Sequence, residues 1–371
     1  MESNGVKWVR LGDYIEQFRQ KCANNKAIVS GVDINKRFIP TRANLDGTDI
    51  SGYYLVPPTF FACNLMHIGR DERIPIAYND TDKDLVVTSA YYVFHIKQDK
   101  CDEILNEYLY IIFSNKEIDR LTWFYTDSSI RGNLKENRFL DIKMPLPSVA
   151  EQQKVVNAWR AFREIKVQNE AKAAPLMQLC QSYIQELKHK YPMREIGPYL
   201  QFFKEKNKDN EIKLEQGINI AKEFITPQRS NSDLSSRIKV RTGQFAYCTQ
   251  LNNENVAISL RVGPDCVVSP VYEVFEIKKE YKHILNSEYL LLWLIRKEFG
   301  RYVYWSSVGS AYEFLRYDNL YSYKIPLPPI EVQQAIVNIY KCANEAKQIA
   351  EEADRLSREV CPALLQHVIH S

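Results

Sequence analysis

"MPLPSVAEQQ" at residues 144–153 returns as "IPLPPIEVQQ" at residues 325–334, 181 positions later in a chain of 371. A near-copy at that distance points to an internal duplication, and a duplication governs how everything else in the chain is read. At the same offset residues 87–162 align with 268–343 without a gap, and 22 of the 76 positions are identical. Chance gives about one match in twenty. The match continues upstream with small shifts. "DISGYYLVPPTFFAC" (49–63) pairs with "DLSSRIKVRTGQFAY" (233–247), and "GVDINKRFIPTR" (31–42) with "GINIAKEFITPQR" (217–229). Even the starts agree, as "VRLGDYIEQF" (9–18) and "REIGPYLQFF" (194–203). A unit of half the chain is too long for a solenoid and suits two copies of one domain.

Each copy reads as mixed α and β. "VVTSAYYVFHIK" and "CVVSPVYEVFEIK" are rich in β-branched and aromatic residues and alternate in polarity, which predicts strands. Residues 101–124 and 283–305 show helical spacing and predict one helix each. A polar loop follows, then a strand ending at Pro-Leu-Pro. Pro145 and Pro147, like Pro326, Pro328 and Pro329, hold the backbone extended and cannot sit inside a helix. Beyond them a helical pattern runs to about Lys190 and again to about His370. Val155, Trp159, Phe162 and Ile165 start the first stripe, and Leu176, Leu179, Tyr183 and Leu187 continue it. Ile336, Ile339, Ala343, Ala346, Ala350 and Ala353 form the second, extended by Leu356, Val360 and Leu364. Narrow stripes of this kind suit helix-on-helix packing. Pro175 and Pro362 are expected to kink or interrupt the two helices. Each would span about 60 Å.

The expected architecture is therefore α+β with a pseudo-two-fold internal repeat. Two similar domains, residues 1–147 and 191–328, are joined and separated by two long antiparallel helices, residues 148–190 and 329–371, as a coiled-coil-like spacer. The Pro-Leu-Pro is the joint between domain and helix, and the following Gln-Gln begins the helix.

Composition fits a globular chain, with 45% hydrophobic and 26% charged residues and a net charge of +3. No apolar run approaches the roughly 18 residues of a membrane span, and "MESNGVKWVRLGDY" does not read as a signal peptide. Eight scattered cysteines without a C-x-x-C pair suggest a reducing cytoplasm rather than disulfides or zinc. Catalytic constellations are missing from the sequence. There is no phosphate-loop G-x-x-x-x-G-K-[ST] and no G-x-G-x-x-G. Nor is there the F-x-G-x-G or [DN]-P-P-[FY] expected of an S-adenosylmethionine-dependent amino-methyltransferase, which argues against a standalone methyltransferase. His367 and His370 stand three apart, and a solvated helix end explains them better than a metal. No catalytic or metal residue is therefore assigned.

Two mixed domains, each followed by Pro-Leu-Pro, Gln-Gln and a long helix, resemble the specificity subunits of type I restriction-modification enzymes. The resemblance rests on Pro145, Leu146, Pro147 with Gln152 and Gln153, on Pro326, Leu327, Pro328 with Gln333 and Gln334, and on Ser129 to Leu134 beside Ser310 to Leu315. It implies a chain that reads DNA and does no chemistry itself. Each target-recognition domain would read one half of a bipartite, asymmetric duplex site, with the helices setting the spacer. Two methylation subunits carrying S-adenosylmethionine would methylate adenine, and a motor-nuclease subunit using ATP and Mg would restrict. The expected location is the cytoplasm, with no membrane contact.

Residues of the right type for base and phosphate contact fall in four segments. The first copy offers Lys36, Arg37, Arg42 and Asn44, then Ser128, Ser129, Arg131 and Asn133. The second offers Gln228, Arg229, Asn231, Arg237 and Arg241, then Ser307, Ser310 and Tyr312. The plain alternative is that these are ordinary solvated loops. Tyr91, Phe94 and Tyr108, with Tyr272, Phe275 and Tyr289, read as core rather than as stacking platforms. The competing function is a structural or regulatory bridge built on the same duplicated domain, without sequence reading.

Overall fold

The computed structural model describes residues 6–22, 28–41, 44–45, 48–66, 68–127, 132–228, 233–251, 254–307, 314–315 and 317–370. They fall into two compact units, residues 1–169 with 348–371 and residues 170–347. Each unit thus holds one copy of the repeated α+β domain and a segment of both long helices. Among the described residues no helix is long and apolar enough to cross a membrane.

The Pro-Leu-Pro joint is built identically in both units. Strand Lys7–Arg10 pairs antiparallel with Lys143–Leu146. Met193–Glu195 pairs likewise with Lys324–Pro326. These ladders have only two strands, so a proline can join them without breaking an interior hydrogen-bond row. The long helices Val149–Lys190 and Ile330–His370 start just beyond. On their first turns Gln152 and Gln333 are wholly buried. Gln152 Oε1 accepts from the Leu105 amide at 3.0 Å, and its Nε2 donates to the carbonyls of Glu103 (2.9 Å) and Pro147 (3.0 Å). Gln333 repeats the arrangement. Its Oε1 accepts from Asn286 N at 2.9 Å, and its Nε2 donates to Ile284 O (2.7 Å) and Pro328 O (2.8 Å). Tyr108 and Tyr289 donate to the carbonyls of Pro145 and Pro326 at 3.1 and 2.9 Å. A buried amide that satisfies three backbone groups explains why glutamine recurs here.

Each copy of the domain is built on a four-stranded antiparallel sheet. Its order is Ile15–Gln17, Tyr92–Ile96, Phe61–Cys63, Ile76–Tyr78 in the first unit, and Leu200–Phe203, Tyr272–Ile277, Phe245–Cys248, Ile258–Leu260 in the second. Alternate residues serve opposite faces. Phe61, Cys63 and Phe94 pack toward the helices, while Ala62 and Val93 join Val56, Leu85 and Val87 on the other side. Phe245, Tyr247 and Phe275 divide in the same way from Ala246 and Val274. The inner strands Phe61–Cys63 and Phe245–Cys248 are covered on both faces and read as apolar runs. At the centre Phe61 stacks on Phe94 with ring centroids 5.0 Å apart, and Phe245 on Phe275 at 4.7 Å.

The helices depart from the sequence reading in three ways. First, each single predicted helix is two: Asn106–Phe113 and Lys116–Phe124, then Ser287–Leu294 and Lys297–Ser307. In the first copy Asn115 caps the new start by accepting from Glu117 N at 2.9 Å, a short polar side chain competing with the helical backbone. A one-turn helix, Glu136–Leu140, also precedes the last strand. Second, Pro175 and Pro362 interrupt nothing: the long helices run continuously through both. The carbonyls deprived of a donor belong to Ala171 and Arg358, both solvent-exposed, so water can take the missing place. Third, the seam near 180 is shifted by one residue. Cys180, Ile184 and Leu187 are buried, while Leu179 and Tyr183 are 43% exposed. The small thiol lets the helices approach, with Cys180 Sγ 4.0 Å from Ile336 O.

The helices pack antiparallel. In the first unit Lys166 pairs with Asp354 at 2.7 Å; in the second, Cys180 meets Ile336. Ala343, Ala346, Ala350 and Ala353 form the buried stripe of the second helix.

Candidate nucleic-acid interface

Each domain carries a matching hairpin turn, and in the first unit that turn is tied to the helix Lys116–Phe124. In the first unit the turn joins Ile28–Val32 to Phe38–Pro40. Asp33 Oδ1 accepts from Arg37 N at 2.9 Å, and Lys36 N donates to Asp33 O at 3.0 Å. Lys36 adopts φ 63°, which only a tight turn requires of a non-glycine residue. In the second unit Asn219 Oδ1 accepts from Glu223 N at 2.9 Å, and Lys222 adopts φ 68°. Tyr91 and Tyr272 hydroxyls each accept from the strand, from Val32 N and Ile218 N at 3.1 Å. Both tyrosines serve packing, as their pattern suggests. The turn tips present Ile34 and Ile220 to solvent.

The two turn lysines point inward. Lys36 is buried, and its Nζ donates to Phe113 O and to Asp119 Oδ1, the latter at 2.6 Å. Asp119 also accepts from Ile74 N at 3.2 Å. Burial pushes the Lys36 ammonium below its usual range, and Asp119 opposes that fall. Lys222 Nζ donates to Val256 O, and burial lowers it too. In that copy Gly300 replaces the aspartate, and a Cβ there would collide with Glu254 O, so the glycine admits the neighbouring segment. Lys36, a candidate for DNA contact by sequence, is therefore committed to the fold. Asp119, Lys222 and Gly300 are structural residues that sequence reasoning misses. The one available signal is the lysine kept in both copies of the turn.

The other candidates divide. Arg37 faces Asp33 (3.8 Å) and Asp354 of the second long helix (3.6 Å). Asn44 is exposed, with a partner of its own. Asn133 closes a loop with Asp127: its amide donates to Asp127 Oδ1 at 3.0 Å, and Asp127 N donates to Asn133 O at 2.9 Å. Gln228 is exposed. Arg237 is drawn into a half-buried pair with Glu215, Nε to Oε1 2.5 Å. Arg241 lies at the surface between Glu205 (3.0 Å) and Asp265 (3.8 Å), beside Lys239, which is ringed by Glu205, Asp209 and Glu211. Ser307 ends the helix Lys297–Ser307. Arg42, Ser128, Ser129, Arg131, Arg229, Asn231, Ser310 and Tyr312 lie outside the described residues. Among the described residues no group of three His, Cys, Asp or Glu is placed to hold a metal. Of the described candidates, Lys36, Arg37, Arg237 and Arg241 are all engaged with acidic side chains, while Asn44 and Gln228 stand exposed on loops, where recognition residues commonly sit.

Residues 186–343 match the family described as the type I restriction modification DNA specificity domain. The chain is similar in structure to the type I restriction-modification system S subunit from M. genitalium, at 11% identity and a TM-score of 0.64, with 99% of this chain and 96% of that one covered. It also aligns with the HsdS subunit from Thermoanaerobacter tengcongensis, at 15% identity and a TM-score of 0.40, covering 99% and 97%. No curated protein matches the chain.

Proposed function

We propose that this chain is a specificity subunit of a type I restriction-modification enzyme and reads a bipartite, asymmetric duplex target, because residues 186–343 match the DNA specificity domain of that family and the first half of the chain repeats them. In this reading its work is DNA sequence recognition, with catalysis left to partner subunits. In the finer reading each recognition domain, residues 1–147 and 191–328, takes one half-site. The helices at 148–190 and 329–371 set the spacer between the half-sites. Two methylation subunits bind the chain and bring S-adenosylmethionine for adenine methylation. A motor-nuclease subunit adds restriction with ATP and Mg. The assembly works in the cytoplasm.

One observation carries the reading: the same joint, sheet and helix pair occur twice, while the loops they carry differ. Arg131 aligns with Tyr312 and Gly132 with Glu313. Two heads on one plan, with different contact residues, suit two different half-sites. Methylated adenines mapped across the host genome, with and without this gene, test it. The expected result is loss of one split motif of fixed spacing; loss of a single continuous motif, or of none, overturns the proposal.

A further inference from the structure

The second helix of the pair in each recognition domain shows one exposed face that the repeat has kept. In the helix Lys116–Phe124 the exposed residues include Lys116, Arg120 and Phe124, four apart and hence on one face. In the helix Lys297–Ser307 the exposed set at the same register is Lys297, Arg301 and Trp305. The opposite faces are buried through Ile118 and Thr122 in one copy, and Phe299 and Val303 in the other. Phe124 and Trp305 are each 76% exposed, the two most exposed large apolar side chains among the described residues. An aromatic held out in water twice, at positions 181 apart, is a feature of the shared plan rather than a stray surface residue. The two cations are one helical turn apart, about 6 Å along the axis. In the first copy Glu117 pairs with Arg120 at 2.8 Å, an exposed contact that a phosphate would have to displace; in the second, Glu298 turns instead to Arg296 at 2.9 Å.

We propose that this Lys–Arg–aromatic face is the sequence-independent contact of each head with duplex DNA: lysine and arginine on phosphates, the aromatic ring against the sugar edge beside them. The charge sign matches a polyanion, and a flat apolar ring beside two cations matches the alternation of sugar and phosphate along a strand. This rests on the target reading proposed above. It adds the part that holds the duplex, and it assigns no base.

The test uses the full chain assembled with methylation subunits and a duplex carrying the genome-mapped motif. Lys116→Ala with Arg120→Ala, and Lys297→Ala with Arg301→Ala, should each lower the slope of log affinity against log salt by about 1.8, at about 0.9 for each phosphate no longer neutralised. Phe124→Ala or Trp305→Ala should weaken binding roughly ten-fold with the slope unchanged. All six side chains are exposed, so thermal melting should stay that of the unmutated chain. Unaltered slope and affinity, on a duplex the unmutated complex still prefers, would overturn this inference and leave target reading intact. Loss of methylation-subunit association during sedimentation without DNA would also overturn it, making the face a protein contact. If the unmutated complex shows no preference for the mapped duplex over a scrambled one, the target reading itself fails and this inference falls with it.

Discussion

At the scale of single residues, the side chains that decide most are polar and hidden. Gln152 and Gln333 each tie a helix start to the loop before the helix pair by three hydrogen bonds. Gln152→Ala leaves one amide and two carbonyls without partners, each such loss costing about 1–3 kcal/mol. Because the three act as one network, a total of about 3 kcal/mol is expected in urea unfolding, with the same loss for Gln333→Ala. An effect below half of that would mean water replaces the amide. Lys36→Ala should destabilise by about 3–5 kcal/mol, since it strands the buried Asp119 carboxylate. It should leave the salt dependence of DNA binding alone, which separates Lys36 from the exposed Lys116. The glutamines are legible in the sequence because the repeat prints them twice beside paired prolines. Lys36 is not, because charged residues in a polar run default to solvent, and nothing local in "DINKRF" announces an aspartate 83 positions away.

At the scale of elements, periodicity finds the helices but not their breaks or phase. Ser114-Asn115 is a readable cap signal in the first copy, whereas Ile295-Arg296 in the second offers none. Near residue 180 two apolar ladders, 179/183 and 180/184, run side by side, so spacing alone cannot choose between them; close approach at the small Cys180 does. The expectation that proline breaks a helix assumes a buried carbonyl, and here the residues that carry the freed carbonyls, Ala171 and Arg358, are exposed. Pro175→Ala and Pro362→Ala each restore one backbone hydrogen bond, and an interior proline disfavours a helix by about 3 kcal/mol relative to alanine. With solvent able to reach these exposed residues, the gain should be smaller, about 1–2 kcal/mol per site, read as a raised melting temperature. A lowered one would show that the helices depend on their prolines for curvature.

At the scale of the whole molecule, the proposal turns on the long helices acting as a ruler, and a ruler can be lengthened. Seven residues keep the seam in phase, because the stripe repeats every seven. Inserting a matched heptad after residue 169 in one helix and after residue 347 in the other adds about 10 Å to the pair. Both points fall where the chain divides between its two units. They therefore leave the Lys166–Asp354 contact and the Cys180–Ile336 contact each within its own unit. Duplex DNA rises about 3.4 Å per base pair along a strand, so the methylated motif should keep both half-sites and gain about three base pairs of spacer. An insertion in one helix alone slides one contact out of register and should destabilise the chain rather than lengthen its target. Methylome sequencing of cells carrying the doubly extended chain reads the outcome directly. A motif with altered half-sites would place specificity in the helices, and a motif with its original spacing would mean that something other than these helices sets the distance.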